Sequence, residues 1–326
     1  MSYYIYKLKF NNGIHIGDGG SLEKTAISMK SNTFFSAIYS EYMRIFSDDM
    51  LLNAIKRSEF CISDLLPYKD DILYIPKPYV SVERNTSNNI NKKVDKKTIK
   101  KIGFIPVEKL NAYINFLKTG ENLPYIDNNF GNKELLTKNQ ISRTGDDTKL
   151  YNVEIFRFNK NCGLYFIISM NEKLKSRIDV VIDSLSTTGI GGKRTSGYGI
   201  FEMMDDEIKL FESDNRPVVS ESDFVFNKLL HNKNANNYML LSSYLPQKED
   251  IRLLENGNNF YSLIKISGFI NSPYYSNSPV KKKQVYMISS GSVLNYTPNG
   301  RIADLNINGN HSIFLLGKPI VMGVNI

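Results

Sequence analysis

Five glycines fall within eleven residues at Gly189-Ile190-Gly191-Gly192-Lys193-Arg194-Thr195-Ser196-Gly197-Tyr198-Gly199. What flanks this tract constrains the fold more than any other feature. Before it, Leu174, Ile178, Val181, Ile182 and Leu185 recur at helical spacing and predict an amphipathic helix over Glu172 to Leu185. After it, Tyr198 to Met203 reads as a strand. A helix must therefore pass into a strand through a backbone free to take positive φ and to approach another segment or a ligand closely. A nucleotide-binding P-loop runs from strand to helix and ends in Gly-Lys-Ser/Thr at a fixed spacing, and a dinucleotide fingerprint has the same polarity. Both are excluded. Two readings remain: a flexible connection with incidental charge, or an anion-binding nest of backbone N–H groups in which Lys193, Arg194, Thr195 and Ser196 reach phosphate.

The order of elements upstream gives the fold class. Tyr3 to Phe10 alternates polar and apolar residues and predicts a strand, followed by a glycine-rich connection through Gly17-Asp18-Gly19-Gly20. Ser31-Asn32-Thr33 offers N-cap candidates for a helix to about Phe46, with Phe34, Phe35, Ile38, Tyr42 and Ile45 on its core face. A short helix at Asp49 to Lys56 follows, then strand-like runs from Phe60 to Val80 broken by prolines. Val107 to Lys118 reads as a helix, and Thr137 to Ser142, Leu150 to Phe158 and Leu164 to Met170 as strands. This is β-α-β-β-α-β with insertions, the ferredoxin-like arrangement. From about Asp206 a second unit is expected, with strands at 238–245, 260–270, 284–288, 301–307 and 312–324 and a helical piece at 247–254. The predicted class is α+β: tandem ferredoxin-like folds, a first domain over 1–205 and a degenerate, more β-rich second domain over 206–326.

Lysine and arginine exceed aspartate and glutamate by 41 to 33, a net +8. Between Arg84 and Lys101 lie seven bases (Arg84, Lys92, Lys93, Lys96, Lys97, Lys100, Lys101) and one acid, Asp95, so this tract carries +6 and leaves +2 elsewhere. It has few large apolar groups with which to offset its ordering entropy. It is either a solvated loop or a basic arm that orders on a polyanion. Cys61 and Cys162 form no metal-ligand spacing and are expected to be reduced thiols. No cofactor motif is present and no cofactor is expected. No apolar run approaches the roughly 20 residues that span a bilayer, so a soluble, cytoplasmic protein without a membrane partner is expected.

A basic, glycine-rich loop at a sheet edge suits an extended single strand whose backbone it can follow. Duplex readers usually present a basic helix, and none is evident, so RNA is preferred over duplex DNA. The run from Gly189 to Glu202 resembles the glycine-rich loop of the RAMP superfamily, the repeat-associated RNA-binding proteins of CRISPR systems. His15-Ile16-Gly17, Ser31 to Ala37, Ile141-Ser142-Arg143-Thr144, Lys281 to Met287 with Gly291-Ser292-Val293, and Leu316 to Ile320 with Gly323-Val324 extend the likeness. In that order they resemble the fourth subunit of type III-A (Csm) effector complexes over nearly the whole chain. The resemblance implies tandem ferredoxin-like folds, binding of the crRNA 5′ handle, and contacts with a Cas10-type large subunit and a repeated RAMP backbone subunit. It also implies that His15 and Gly17 line a first RNA-facing loop, that Gly191, Gly192, Lys193, Arg194 and Ser196 form the main phosphate loop, and that Arg143 adds a contact. The arm over Arg84 to Lys101 would then belong to an inserted hairpin between the handle and the first guide nucleotides.

Catalysis is not expected. The three histidines, His15, His231 and His311, are scattered along the chain. His15 as the base of a repeat-processing endoribonuclease is the alternative reading, against a phosphate contact or a turn histidine. The adjacent acid pairs Asp48-Asp49, Asp70-Asp71, Asp146-Asp147 and Asp205-Asp206 read as solvated turns, not as convergent metal ligands. The resemblance implies a backbone subunit that cuts target RNA with a loop aspartate; Asp18 is the nearest analogue by location, but it sits in a Gly-Asp-Gly-Gly turn and the activity is not carried over to it.

Overall fold

A computed structural model describes every residue except 81–95, 141–148, 205–207, 211–219, 271, 273, 277 and 279. Arg84, Lys92, Lys93 and Arg143 therefore lie outside the described residues, and Lys96 is placed only as part of a helix backbone.

The chain opens with β1 (Ser2–Phe10), a small ribbon of β2 (Gly17–Asp18) and β3 (Ser21–Thr25), then α1 (Ser31–Ile45) and α2 (Met50–Lys56). β4 (Phe60–Ile62), β5 (Leu66–Lys69) and β6 (Ile72–Pro76) come next, followed by α3 (Lys96–Lys101), β7 (Phe104–Pro106) and α4 (Leu110–Thr119). A long hairpin of β8 (Gly131–Gln140) and β9 (Lys149–Phe158) leads to β10 (Cys162–Met170), α5 (Glu172–Thr188), β11 (Phe201–Met203) and β12 (Ile208–Leu210). β1 is flanked by β10 on one side and by β11 and β12 on the other, and β10 pairs outward with β4 and β5, all antiparallel. With the split strands merged, the spatial order is fourth, first, third, second, which is the ferredoxin-like sheet. Its last strand, 208–210, lies beyond position 205, where the first domain was expected to end.

One face of this sheet carries Tyr4, Tyr6, Leu8, Phe166 and Ile168, packed against Phe34, Phe35, Ile38 and Tyr42 of α1 and Leu174, Ile178, Val181 and Ile182 of α5. These are the helical faces that the periodicity predicted, because a residue every three or four positions is what one side of a helix presents. Asp48, just past α1, ties the two helices together. It accepts from the Tyr42 hydroxyl at 2.8 Å and ion-pairs with Arg177, whose guanidinium also bonds that hydroxyl at 2.9 Å. The Arg177 guanidinium, and after it the Met50 amide, holds the Asp48 carboxyl down to about 2. A carboxyl depressed by folding stabilises above its unfolded value of about 4 and stops doing so as pH falls through the folded value. Acid unfolding between about pH 4 and pH 2 should be less steep in Asp48→Asn than in the parent, and equal slopes by circular dichroism would show that the tie carries no linkage.

α1 begins at Ser31, but none of the expected cap residues caps it. Lys30 occupies the cap position without a side-chain bond. The Ser31 amide donates instead to Asp64 Oδ1 at 2.7 Å, from the turn between β4 and β5, while the Ser31 hydroxyl accepts from the Ser243 amide at 3.0 Å. A tertiary carboxylate has taken the role of a local cap.

The second half holds α6 (Glu221–Leu230), β13 (Asn237–Leu240), α7 (Lys248–Glu255), β14 (Leu263–Ile266), β15 (Val285–Ile288), β16 (Val293–Leu294), β17 (Arg301–Asp304), β18 (Phe314–Gly317) and β19 (Val321–Val324). β13 lies between β16 and β19, and β14–β15 and β17–β18 form two-stranded ribbons. The strands expected at 238–245 and 260–270 are shorter, and 312–324 is two strands parted at Lys318-Pro319. Pro319 has no N–H to give a ladder.

This half covers the other face of the first sheet. Ile5, Leu66, Tyr68, Tyr165 and Ile167 share one core with Phe226, Met239, Val293, Ile320, Met322 and Val324. The consequence is functional. An RNA-recognition module stacks bases on the open face of such a sheet, and here that face is core. That face is not available for base stacking.

Candidate nucleic-acid interface

The glycine-rich tract leaves α5 at Gly189 and folds back on the first loop of the chain. The Gly192 amide donates to His15 O at 2.8 Å, the Gly199 amide to Gly13 O at 2.9 Å, and the Ile190 amide to Gly199 O at 2.9 Å. Glycine is required by close approach: a Cβ on Gly199 (φ +78°) would lie 1.9 Å from Ile190 O, and one on Gly191 (φ +86°) would lie 2.5 Å from His15 O. Ser196 and Gly197 donate to Lys193 O and Arg194 O in a tight turn over Arg194–Ser196. The amides of residues 190, 192, 196, 197 and 199 are thus spent inside the protein. The expected nest of outward N–H groups is correspondingly reduced, and the ligand-facing chemistry falls to side chains. Arg194, Thr195 and Ser196 are exposed, and Lys193 is half-buried in a left-handed conformation at φ 58°.

His15 is not a surface group. It is 4% exposed, its Nδ1 lies 2.7 Å from the Glu154 carbonyl, and its ring packs where a side chain on Gly192 would stand. A carbonyl only accepts, so Nδ1 carries the proton in this bond. The ring acts as a strut between the glycine-rich loop and β9. Gly17, by contrast, is exposed in the β2–β3 ribbon, with open space beside it. The ribbon is tied to β9 in turn, the Thr25 amide donating to Glu154 Oε2 at 2.7 Å. That amide, followed by Lys133, holds the Glu154 carboxyl below the usual range.

The hairpin contributes what the sequence reading missed. Lys193 Nζ lies 4.5 Å from the centre of the Tyr151 ring, and Lys138 Nζ lies 4.8 Å from that of Tyr198. Lys138 and Tyr151 are cross-strand partners in the β8–β9 register. Two ammonium groups and two aromatic faces therefore interleave at the rim of the loop, a combination suited to phosphates and bases together. Arg194 is set apart from this pair, since its guanidinium turns back to Gly189 O at 3.5 Å. It lies close enough to Glu41 for its charge to help Arg44 keep that carboxyl low.

Not everything predicted converges here. α3, which includes Lys97, leads into β7 at one edge of the first sheet, and the glycine-rich loop leads into β11 at the opposite edge. Five strand spacings, about 24 Å, separate those edges. The hairpin beside the loop spans 131–158 and is an insertion separate from the basic tract.

The family model for the Csm4 C-terminal domain of CRISPR systems matches residues 233–324. A Csm4 protein of Streptococcus thermophilus is 29% identical over 336 aligned positions, covering 100% of both chains. Over its whole length the chain is similar to Csm4 proteins. Among solved structures, a Csm3–Csm4 subcomplex of the type III-A interference complex contains a chain that superposes with a TM-score of 0.62 at 21% identity, with 100% of both chains covered. A Csm1–Csm4 cassette in complex with cA4 gives 0.59 at 15% identity, with 100% of this chain and 99% of that one covered. At these identities the superpositions show the fold alone, in agreement with the α+β, ferredoxin-like class that the element order predicted. The Csm4 C-terminal match falls on β13 to β19, the part whose topology the sequence resolved least.

Proposed function

We propose that this chain is a Csm4-type, non-catalytic RNA-binding subunit of a type III-A CRISPR effector complex. It holds the crRNA 5′ handle at the glycine-rich loop and bridges a Cas10-type large subunit, Csm1, to the Csm3 backbone. The observation that carries the reading is the rim formed by Lys193, Tyr151, Lys138 and Tyr198 above a loop whose glycines seat it against residues 13–15. The covered sheet face supports it by leaving loops as the place for RNA. Burial of His15 and its bond to Glu154 O favour a positioning role over that of a base.

Charge reversal of Lys193 and Arg194 together should weaken handle-RNA binding by about tenfold per cation lost. It should also flatten the dependence of log affinity on log salt by about 1.4, the value for two phosphate contacts on a single strand. Fluorescence anisotropy with a labelled handle oligonucleotide reads both quantities, and an unchanged affinity would remove the loop from the interface. Repeat RNA incubated with the purified chain should stay intact. A cleavage product that disappears in His15→Ala would establish the endoribonuclease reading instead.

A further inference from the structure

The basic tract at 84–101 is not the only concentration of positive charge. From Asn256 to Ala303 the chain contains Lys265, Lys281, Lys282, Lys283 and Arg301 and no acid at all. This +5 and the +6 of residues 84–101 together exceed the net +8, so the remainder of the protein is net acidic. The acid-free stretch includes the β14–β15 ribbon. One face of the ribbon, Ile264, Ile266 and Val285, packs on Leu245, Met287, Leu305 and Leu315. Its other face points outward. Leu263 (59% exposed) and Tyr286 (60%) stand there, and Phe269 (61%) is exposed just beyond the end of β14. Lys265 is directly opposite Tyr286, and Lys281 is bridged to Phe269 with its ammonium 5.8 Å from the ring centre.

We propose that this outward face is a second contact for single-stranded RNA, separate from the glycine-rich loop, on which bases stack against Phe269 and Tyr286 while Lys265 and Lys281 meet the flanking phosphates. Three features favour RNA over a protein partner. Aromatic and lysine residues alternate across the ribbon, whereas the core of a protein–protein interface is depleted of lysine. The Phe269 and Tyr286 rings are each more than half exposed, and every base offers a π-face to such a platform. The absence of any carboxylate within 256–303 leaves the field of the ribbon uncompensated by its own segment, which suits a polyanion. Lys282, beside them, is partly buried, and desolvation holds its ammonium below the usual lysine value. A nearby phosphate would reverse that shift.

The proposal does not depend on the loop gripping the handle, and the test separates the two. In the full chain, affinity for a labelled oligouridylate is measured for Phe269→Ala with Tyr286→Ala, for Lys265→Glu with Lys281→Glu, and for each pair added to the Lys193 and Arg194 reversal. Each ribbon pair should lower affinity about fivefold or more, in the parent and in the loop-reversed background alike, and ultraviolet crosslinking should mark the segment between residues 260 and 288. These side chains are exposed, so thermal melts should match the parent. Affinity within twofold of the parent, with no crosslink in that segment, overturns the proposal. So does the outcome in which the ribbon pairs leave RNA binding intact but prevent association with Csm1 or Csm3, which would make the face a protein-docking surface.

Discussion

Gly199→Ala is expected to release the glycine-rich loop and lower RNA affinity by at least about tenfold, with most of the fold retained. Two costs add. A left-handed backbone costs an L-residue about 1–2 kcal/mol. The new methyl would also sit 1.9 Å from Ile190 O, a distance that only movement of the backbone can relieve. Ile190 cannot move freely, because its side chain is buried in the core with the α5 face. Relief must come from the loop, and it breaks the bonds from Gly199 to Gly13 O and from Ile190 to Gly199 O. Lys193 would then lose its place over Tyr151. Gly17→Ala is the matched control: its Cβ meets nothing within 4 Å, so stability should change by less than about 0.5 kcal/mol. Any RNA effect there reports contact, not folding. Equal affinities for Gly199→Ala and the parent would show that the loop need not be seated to bind.

Removing Asp64 should cost about 3 kcal/mol of folding stability, the largest loss we expect from any single polar substitution in the protein. Its carboxylate is wholly buried. It accepts from the Ser31 amide at 2.7 Å, from the Ser290 hydroxyl at 2.6 Å and from Lys30 Nζ at 3.0 Å, and its own amide donates to Leu241 O at 2.9 Å. One side chain therefore joins the start of α1, the β4–β5 turn and the second half. In Asp64→Ala the Ser31 amide and Ser290 hydroxyl are left buried without their acceptor, while Lys30 is exposed enough to find water. Asp64→Asn keeps acceptor capacity and should lose roughly half as much. Urea denaturation measures both. A loss below about 1 kcal/mol for the alanine variant would mean that the seam is hydrated and the bonds are replaceable.

Elements with one buried face were the legible ones. Phe34, Phe35, Ile38 and Tyr42 announced α1, and Leu174 to Leu185 announced α5, because burial on one side imposes a period on the chain. β8 failed the same test. Its strand begins at Gly131, not Thr137, and its inner face is only half-buried, at Glu134, Leu136 and Lys138, so no hydrophobic alternation marks it. α6 went unread although Ser220 caps it by accepting from the Asp223 amide at 3.1 Å. Half of its residues are apolar, but Phe224 is exposed while Ser222 and Asp223 are buried, so the apolar positions do not mark one face, and its place is set by a sheet that no local window reveals. At the site, Lys193 and Arg194 could be named from type and neighbourhood. Tyr151 and Lys138 could not, since a cross-strand register joins residues thirteen apart only once the hairpin exists. The tally leaving +2 outside the first basic tract was correct, yet it averaged over an acid-free stretch and an acidic remainder.

The covered back of the first sheet also bears on how the chain is made. Ile5, Leu66, Tyr165 and Ile167 are complete as a surface once residues up to 210 have been synthesised, but their partners Met239, Val293, Met322 and Val324 emerge later. At about 5–20 residues per second, the ribosome leaves an apolar sheet face in water for several seconds while the last hundred or so residues are added. A nascent chain stalled near Leu210 should therefore recruit chaperones that a chain extended through Val324 does not, and the C-terminal half acts as the protein's own late-arriving lid against aggregation.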